Sequence, residues 1–172
     1  MLVSFRRILA HPGRRWLCSQ AASEVPLLVL EFLKNGVACT SRQFTSDDIS
    51  KFAQLTGDCN AIHTDRRTAN EVGFDRCVVH GALLNGLVSG LIAQSLPNCV
   101  VLSQELHFPQ ALLVDETVTV SLELIERRKT FVSVKYTCRD TSRRVVMHGD
   151  ARLALAIKKP RNPASSPSSG DA

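Results

Sequence analysis

The chain has 172 residues, 44% of them apolar, and a formal net charge of +5, which is the size and composition of one domain able to bury a core. The charge sits at the ends. With the four arginines of residues 1–22 and the three cations and one acid from Lys158 onward set aside, 14 basic and 15 acidic residues remain; the domain itself has no basic excess and no nucleic-acid surface is expected.

Residues 1–23 interleave Arg6, Arg7, Arg14 and Arg15 with Leu2, Phe5, Ile8, Leu9 and Trp16, and no acid precedes Glu24. That is the composition of a mitochondrial transit peptide, and it points to the mitochondrial matrix. Residues 24–157 read as a single domain. Residues 158–172 are rich in Pro, Ser and Gly and read as a disordered tail. The cysteines are scattered, with no Cys-x-x-Cys pair, and read as free thiols.

Val37 to Phe44 predicts a first strand. Thr45 or Ser46 caps a helix with Asp47 and Asp48 in its first turn. Ile49, Phe52, Ala53 and Thr56 share a face, and the helix ends at Gly57. Asp58 to His63 predicts a loop, and Arg66 to Val72 a short helical turn. Ala82 to Leu96 is the most apolar stretch. It is shorter than the ~20 residues needed to cross a bilayer and holds Asn85, Ser89 and Gln94, so it predicts a buried helix and no membrane span. Gly86 and Gly90, one turn apart, suggest a helix packed closely against a sheet. Strands follow at Val100–Phe108, Thr117–Ile125, from Phe131 to Tyr136, and Val145–Ile157, with a hairpin turn at Asp140-Thr141-Ser142. Periodicity gives an α+β fold with a mostly antiparallel sheet.

The chemistry concentrates in Gly57-Asp58-Cys59-Asn60-Ala61-Ile62-His63, with Ala69 six residues further on. A carboxylate and an imidazole held around one water can move protons in both directions near neutral pH. A second element is His80-Gly81 at the start of the buried helix. The first N–H groups of a helix lack internal partners and carry partial positive charge, so the Gly81 N–H is suited to a developing oxyanion. Asp58, His63, Asp65 and His80 match no zinc-ligand spacing, and no Gly-rich phosphate loop or dinucleotide fingerprint occurs. No metal and no cofactor is expected.

The string Gly-Asp-x-Asn-x-x-His-x5-Ala resembles the hydratase-2 motif of the MaoC-like (R)-specific hydratases and dehydratases of acyl thioesters. In that family the motif has Pro where this chain has Ala61. The segment from Phe108 to Glu116 is similar to the family's Phe-x-x-Pro-Val-x-x-Gly-Asp, with the proline at Pro109 and Asp115 in place of Gly. The likeness spans residues 36–157. It implies a hot-dog fold, a curved antiparallel sheet wrapped around a long central helix, paired edge to edge as a homodimer. It also implies reversible dehydration of (3R)-3-hydroxyacyl thioesters carried by acyl carrier protein or coenzyme A. Asp58 and His63 would be catalytic and Gly81 would bind the thioester carbonyl. Asn60, Ser89 and His80 would support them, Asn60 by fixing the loop or the water, Ser89 by orienting water or substrate. With the transit peptide, the resemblance favours fatty acid synthesis. The other readings are an (R)-specific enoyl-CoA hydratase of oxidation, a thioesterase, and a hot-dog protein that binds acyl thioesters without turning them over. The last would not need both Asp58 and His63. Lys34, Arg66, Arg67 and Arg76 could meet an acidic carrier or its phosphopantetheine arm.

Overall fold

The computed structural model describes residue 32 and residues 34–155. The transit-peptide reading and the tail reading fall outside them. Strand β1 (Val37–Gln43) leads into helix α1 (Ser46–Thr56), the one-turn helix α2 (Ala61–Thr64), helix α3 (Arg66–Glu71) and the long helix α4 (Gly81–Ser95). Strands β2 (Cys99–His107), β3 (Thr117–Arg128), β4 (Phe131–Arg139) and β5 (Val145–Leu155) complete the fold. All pairings are antiparallel and the sheet order is β1-β3-β4-β5-β2.

Helix α4 packs on the sheet through Leu84, Val88, Leu91, Ile92 and Ser95, all buried, at the spacing that places side chains on one helical stripe. Facing them are Val118, Val120 and Leu122 of β3, Val132, Val134 and Tyr136 of β4, and Ala151 and Leu153 of β5. Cys138 lies in the same layer, and burial pushes its thiol pKa up to about 12. The cysteines among the described residues are unpaired. No described helix is long and apolar enough to cross a membrane.

The structure departs from the sequence reading at several points, β4 among them, which runs to Arg139 rather than Tyr136. Strand β3 runs to Arg128 rather than Ile125, because a register shift after Leu124 lets Glu126 and Arg127 continue pairing with β4 while both lie exposed. Alternation vanishes there because neither face is buried. His63 sits on α2 rather than in a loop. A Cβ at Gly86 or Gly90 would meet nothing within 4 Å, so these glycines border a groove along α4 instead of admitting a close neighbour. That groove, about 330 Å³, is lined by Arg42, Phe44, Leu83, Leu87 and Leu91 among others.

Candidate active site

Three stretches converge at the N-terminal end of α4. The first begins where α1 stops. Thr45 caps that helix in a reciprocal capping box with Asp48, and Gly57 closes it in the left-handed conformation, φ 77°. The Gly57 N–H returns to the Ala53 carbonyl at 2.8 Å, and the chain turns so that Asp58 leaves the helix half-exposed. Asn60 caps α2: its side chain accepts from the Ile62 N–H, and its carbonyl accepts from the His63 N–H at 3.0 Å. Asn60 therefore holds the turn that carries His63.

The second stretch is Cys77–Val79. It is pinned on one side by the Val78 N–H bond to Ile62 O (3.0 Å). On the other side Val79 N–H donates to Leu112 O (2.8 Å) and Val114 N–H to Cys77 O (2.9 Å). The Val78 carbonyl lies 2.7 Å from His63 Nδ1. A carbonyl only accepts, so Nδ1 carries the proton in that bond and His63 Nε2 is left as the free basic nitrogen. Nothing in the sequence marks a backbone carbonyl for this task.

His80 caps α4 without a side-chain bond to the helix. Its Nε2 reaches the Asp58 carbonyl at 3.0 Å, and its ring stacks on His63 with centroids 3.8 Å apart. Asp58, His63 and His80 each offer one polar atom within 4.8 Å of the others. The two rings are within 26° of parallel.

The third stretch is the end of β2. The Phe108 ring lies against Gly81, where a Cβ would come within 2.7 Å of Phe108 Cζ. Gly81 is the first residue of α4, and the N–H groups of that first turn have no helical partner. The site thus combines a carboxylate, a basic imidazole nitrogen and unpaired helix N–H donors, the set required to move a proton beside a carbonyl whose oxygen gains charge.

Ser89 does not join this cluster. It is exposed and lies about 12 Å further along α4 than Gly81 at the helical rise per residue. Asn85, given no role by the sequence, pairs with Gln104 of β2 through both amides (2.8 and 3.3 Å). Gln104 also bonds the Tyr136 hydroxyl at 2.9 Å. Of the cations considered for an acidic carrier, Arg76 is already bound to Val114 O and Glu116, each at 2.7 Å. Arg67 pairs with Glu71, while Lys34 and Arg66 are exposed.

The profile of the MaoC like domain matches residues 34–146. The chain belongs to the MaoC-like family. A mitochondrial 3-hydroxyacyl-[acyl-carrier-protein] dehydratase from Arabidopsis thaliana is 29% identical over 142 residues, covering 80% of this chain and 82% of that protein. An (R)-specific enoyl-CoA hydratase from Aeromonas caviae is 36% identical over 91 residues, 52% of this chain and 68% of that one. Among solved structures, an (R)-hydratase from A. caviae superposes with a TM-score of 0.67 at 30% identity, covering 70% of this chain and 94% of that one. An R-hydratase from Pseudomonas aeruginosa gives a TM-score of 0.66 at 25% identity, covering 76% and 89%. This MaoC-like chain has the hot-dog fold that the resemblance implied, and it is an enzyme of the hydratase/dehydratase class.

Proposed function

We propose that the protein is a mitochondrial-matrix (3R)-3-hydroxyacyl-thioester dehydratase of fatty acid synthesis, acting on substrates held by acyl carrier protein. The observation that carries the reading is His63, held through Nδ1 by Val78 O, with a ring nitrogen within 4.8 Å of an Asp58 carboxylate oxygen and a His80 ring nitrogen, beside the N-terminus of α4. In the dehydration direction the C2–H proton passes to His63 Nε2. The C2–H electron pair becomes the C2=C3 double bond and the C3–O bond breaks. The leaving hydroxyl accepts a proton from the imidazolium and departs as water, with Asp58 orienting it. Proton uptake and release then balance at one face, which fits syn elimination. The Gly81 N–H stabilises the thioester oxygen as C2 loses its proton. Hydration runs the same steps backward.

The same residues would serve an enoyl-CoA hydratase, and the likeness to the A. caviae hydratase favours keeping that reading. The ratio of kcat/KM for carrier-protein and coenzyme A thioesters separates the two. Salt-insensitive turnover of the carrier-bound substrate would remove Lys34 and Arg66 from any docking role.

The test is hydration of crotonyl thioesters with chiral analysis of the product, beside Asp58→Asn and His63→Gln. Each variant is expected to lose at least ~100-fold in kcat, the usual scale of general acid–base catalysis, while its folding holds. A folded parent inactive on both thioesters, or variants equal to it, would move the binding-protein reading ahead.

A further inference from the structure

His80 does more than start a helix. It is 1% exposed, and a helix N-cap ordinarily turns its side chain onto its own first-turn N–H groups. His80 makes no such bond. Its ring points away from α4 into the catalytic turn, between Phe52 of α1 (centroids 5.0 Å, tilted) and His63 (3.8 Å, stacked). The Nε2 bond to the Asp58 carbonyl fixes the proton on Nε2. Nδ1 is buried without a partner among the described residues. A group left unsatisfied on one side, in a position where a capping residue could have satisfied the helix, is placed for something other than helix stability.

We infer that His80 is the positioning residue that sets the separation between Asp58 and His63. This rests on the dehydratase reading of the site. One ring does two things at once. Its N–H holds the backbone of the residue that carries the carboxylate, and its face supports the imidazole plane of the proton carrier. Because His80 is also joined by a peptide bond to Gly81, the oxyanion donor is tied to the same ring. Three parts of the site are referenced to one side chain. The sequence reading gave His80 a supporting role; the contact to Asp58 O and the stack on His63 specify what it supports.

The test uses His80→Asn. Asn is a preferred N-cap residue but is too short to reach the Asp58 carbonyl. If His80 served only to begin α4, this variant would keep kcat and would be as stable as the parent or more so. The positioning role predicts unchanged thermal stability within a few degrees. It also predicts KM for crotonyl-CoA within a few-fold and kcat down by about 100-fold, the cost of misplacing reacting groups by an ångström. His80→Gln, which carries an N–H near the position of Nε2, should recover part of that loss. In the Asp58→Asn background, His80→Asn should cost clearly less than it does in the parent, since part of its effect runs through Asp58. Full activity of folded His80→Asn, or additive losses in the double variant, would overturn the inference. An inactive parent would instead defeat the dehydratase reading on which it stands.

Discussion

Gly81 is required as glycine for two reasons that act at the same place. Its N–H lies in the open first turn of α4, and the position of its missing Cβ is filled by the Phe108 ring. The Phe108 side is half-exposed, so a methyl at 81 would displace the ring instead of unfolding the domain. Gly81→Ala is therefore expected to lower kcat by roughly 10-fold or more, with a stability cost of about 1–3 kcal/mol from overpacking. Gly81→Ala combined with Phe108→Leu should regain the stability measured by thermal melting but little of the activity, because the added methyl still crowds the proposed carbonyl site. If stability and activity return together, Phe108 alone accounted for the glycine. At this scale the sequence was informative about which residues, and silent about what holds them. Asp58, His63 and Gly81 came forward from the motif and its resemblance to the family, and the structure brings Asp58 and His63 together beside the first residue of α4. Val78 O, which fixes the His63 tautomer, is a backbone atom with no signature in the sequence. The contact of Phe108 with Gly81 joins residues 27 positions apart and depends on how β2 returns past α4.

Among the elements, α1 and α4 were readable because their limits are chemical: the Thr45–Asp48 box, the Gly57 left-handed cap, and apolar side chains at helical spacing. Strand β2 was harder, since most of its residues are exposed and alternation is visible only where one face is buried. What holds β2 is polar and non-local. The Tyr136 hydroxyl, on a fully buried side chain, donates to the Glu105 carbonyl at 3.0 Å and accepts from Gln104, which is paired with Asn85 on α4. Gly149 makes room for this. A Cβ there would lie 2.1 Å from Glu105 O and 2.5 Å from the Tyr136 hydroxyl. The first of these is backbone in a paired strand and cannot swing aside. Gly149→Ala should destabilise the protein by about 3 kcal/mol, at the upper end for overpacking. Tyr136→Phe should cost about 1–3 kcal/mol through the unsatisfied Gln104 and Glu105 groups. Denaturant melts of both variants check this, and the alanine should be the worse. A Gly149→Ala variant as stable as the parent would mean that β2 and β5 separate there at no cost.

At the scale of the whole molecule, the sheet ends on one side at β2, whose only described partner is β5. Its residues Val100, Val101 and Leu102 are 58%, 43% and 51% exposed. Three consecutive apolar residues on an unpaired edge combine free backbone hydrogen-bonding groups with apolar surface on both faces, which natural sheets avoid leaving in water. A second copy presenting the same strand would satisfy both, and a two-fold axis would make the contact self-complementary. The consequence reaches the active site, because β2 runs directly into Phe108 and is fastened to α4 only one turn beyond Gly81, at Asn85. An edge strand left free to fray would carry Phe108 away from Gly81. Val100→Lys with Leu102→Lys places two charges on that edge, the device by which sheets prevent edge pairing. The parent should elute with the mass of a dimer in light scattering and the double variant with that of a monomer. The specific activity of the variant should fall at least ~10-fold, within the range for small misplacements of reacting groups. The parent's activity should also decline on dilution in step with dissociation. A parent that is monomeric and fully active would show that β2 is closed by something other than a second copy, and that Phe108 holds its place without one.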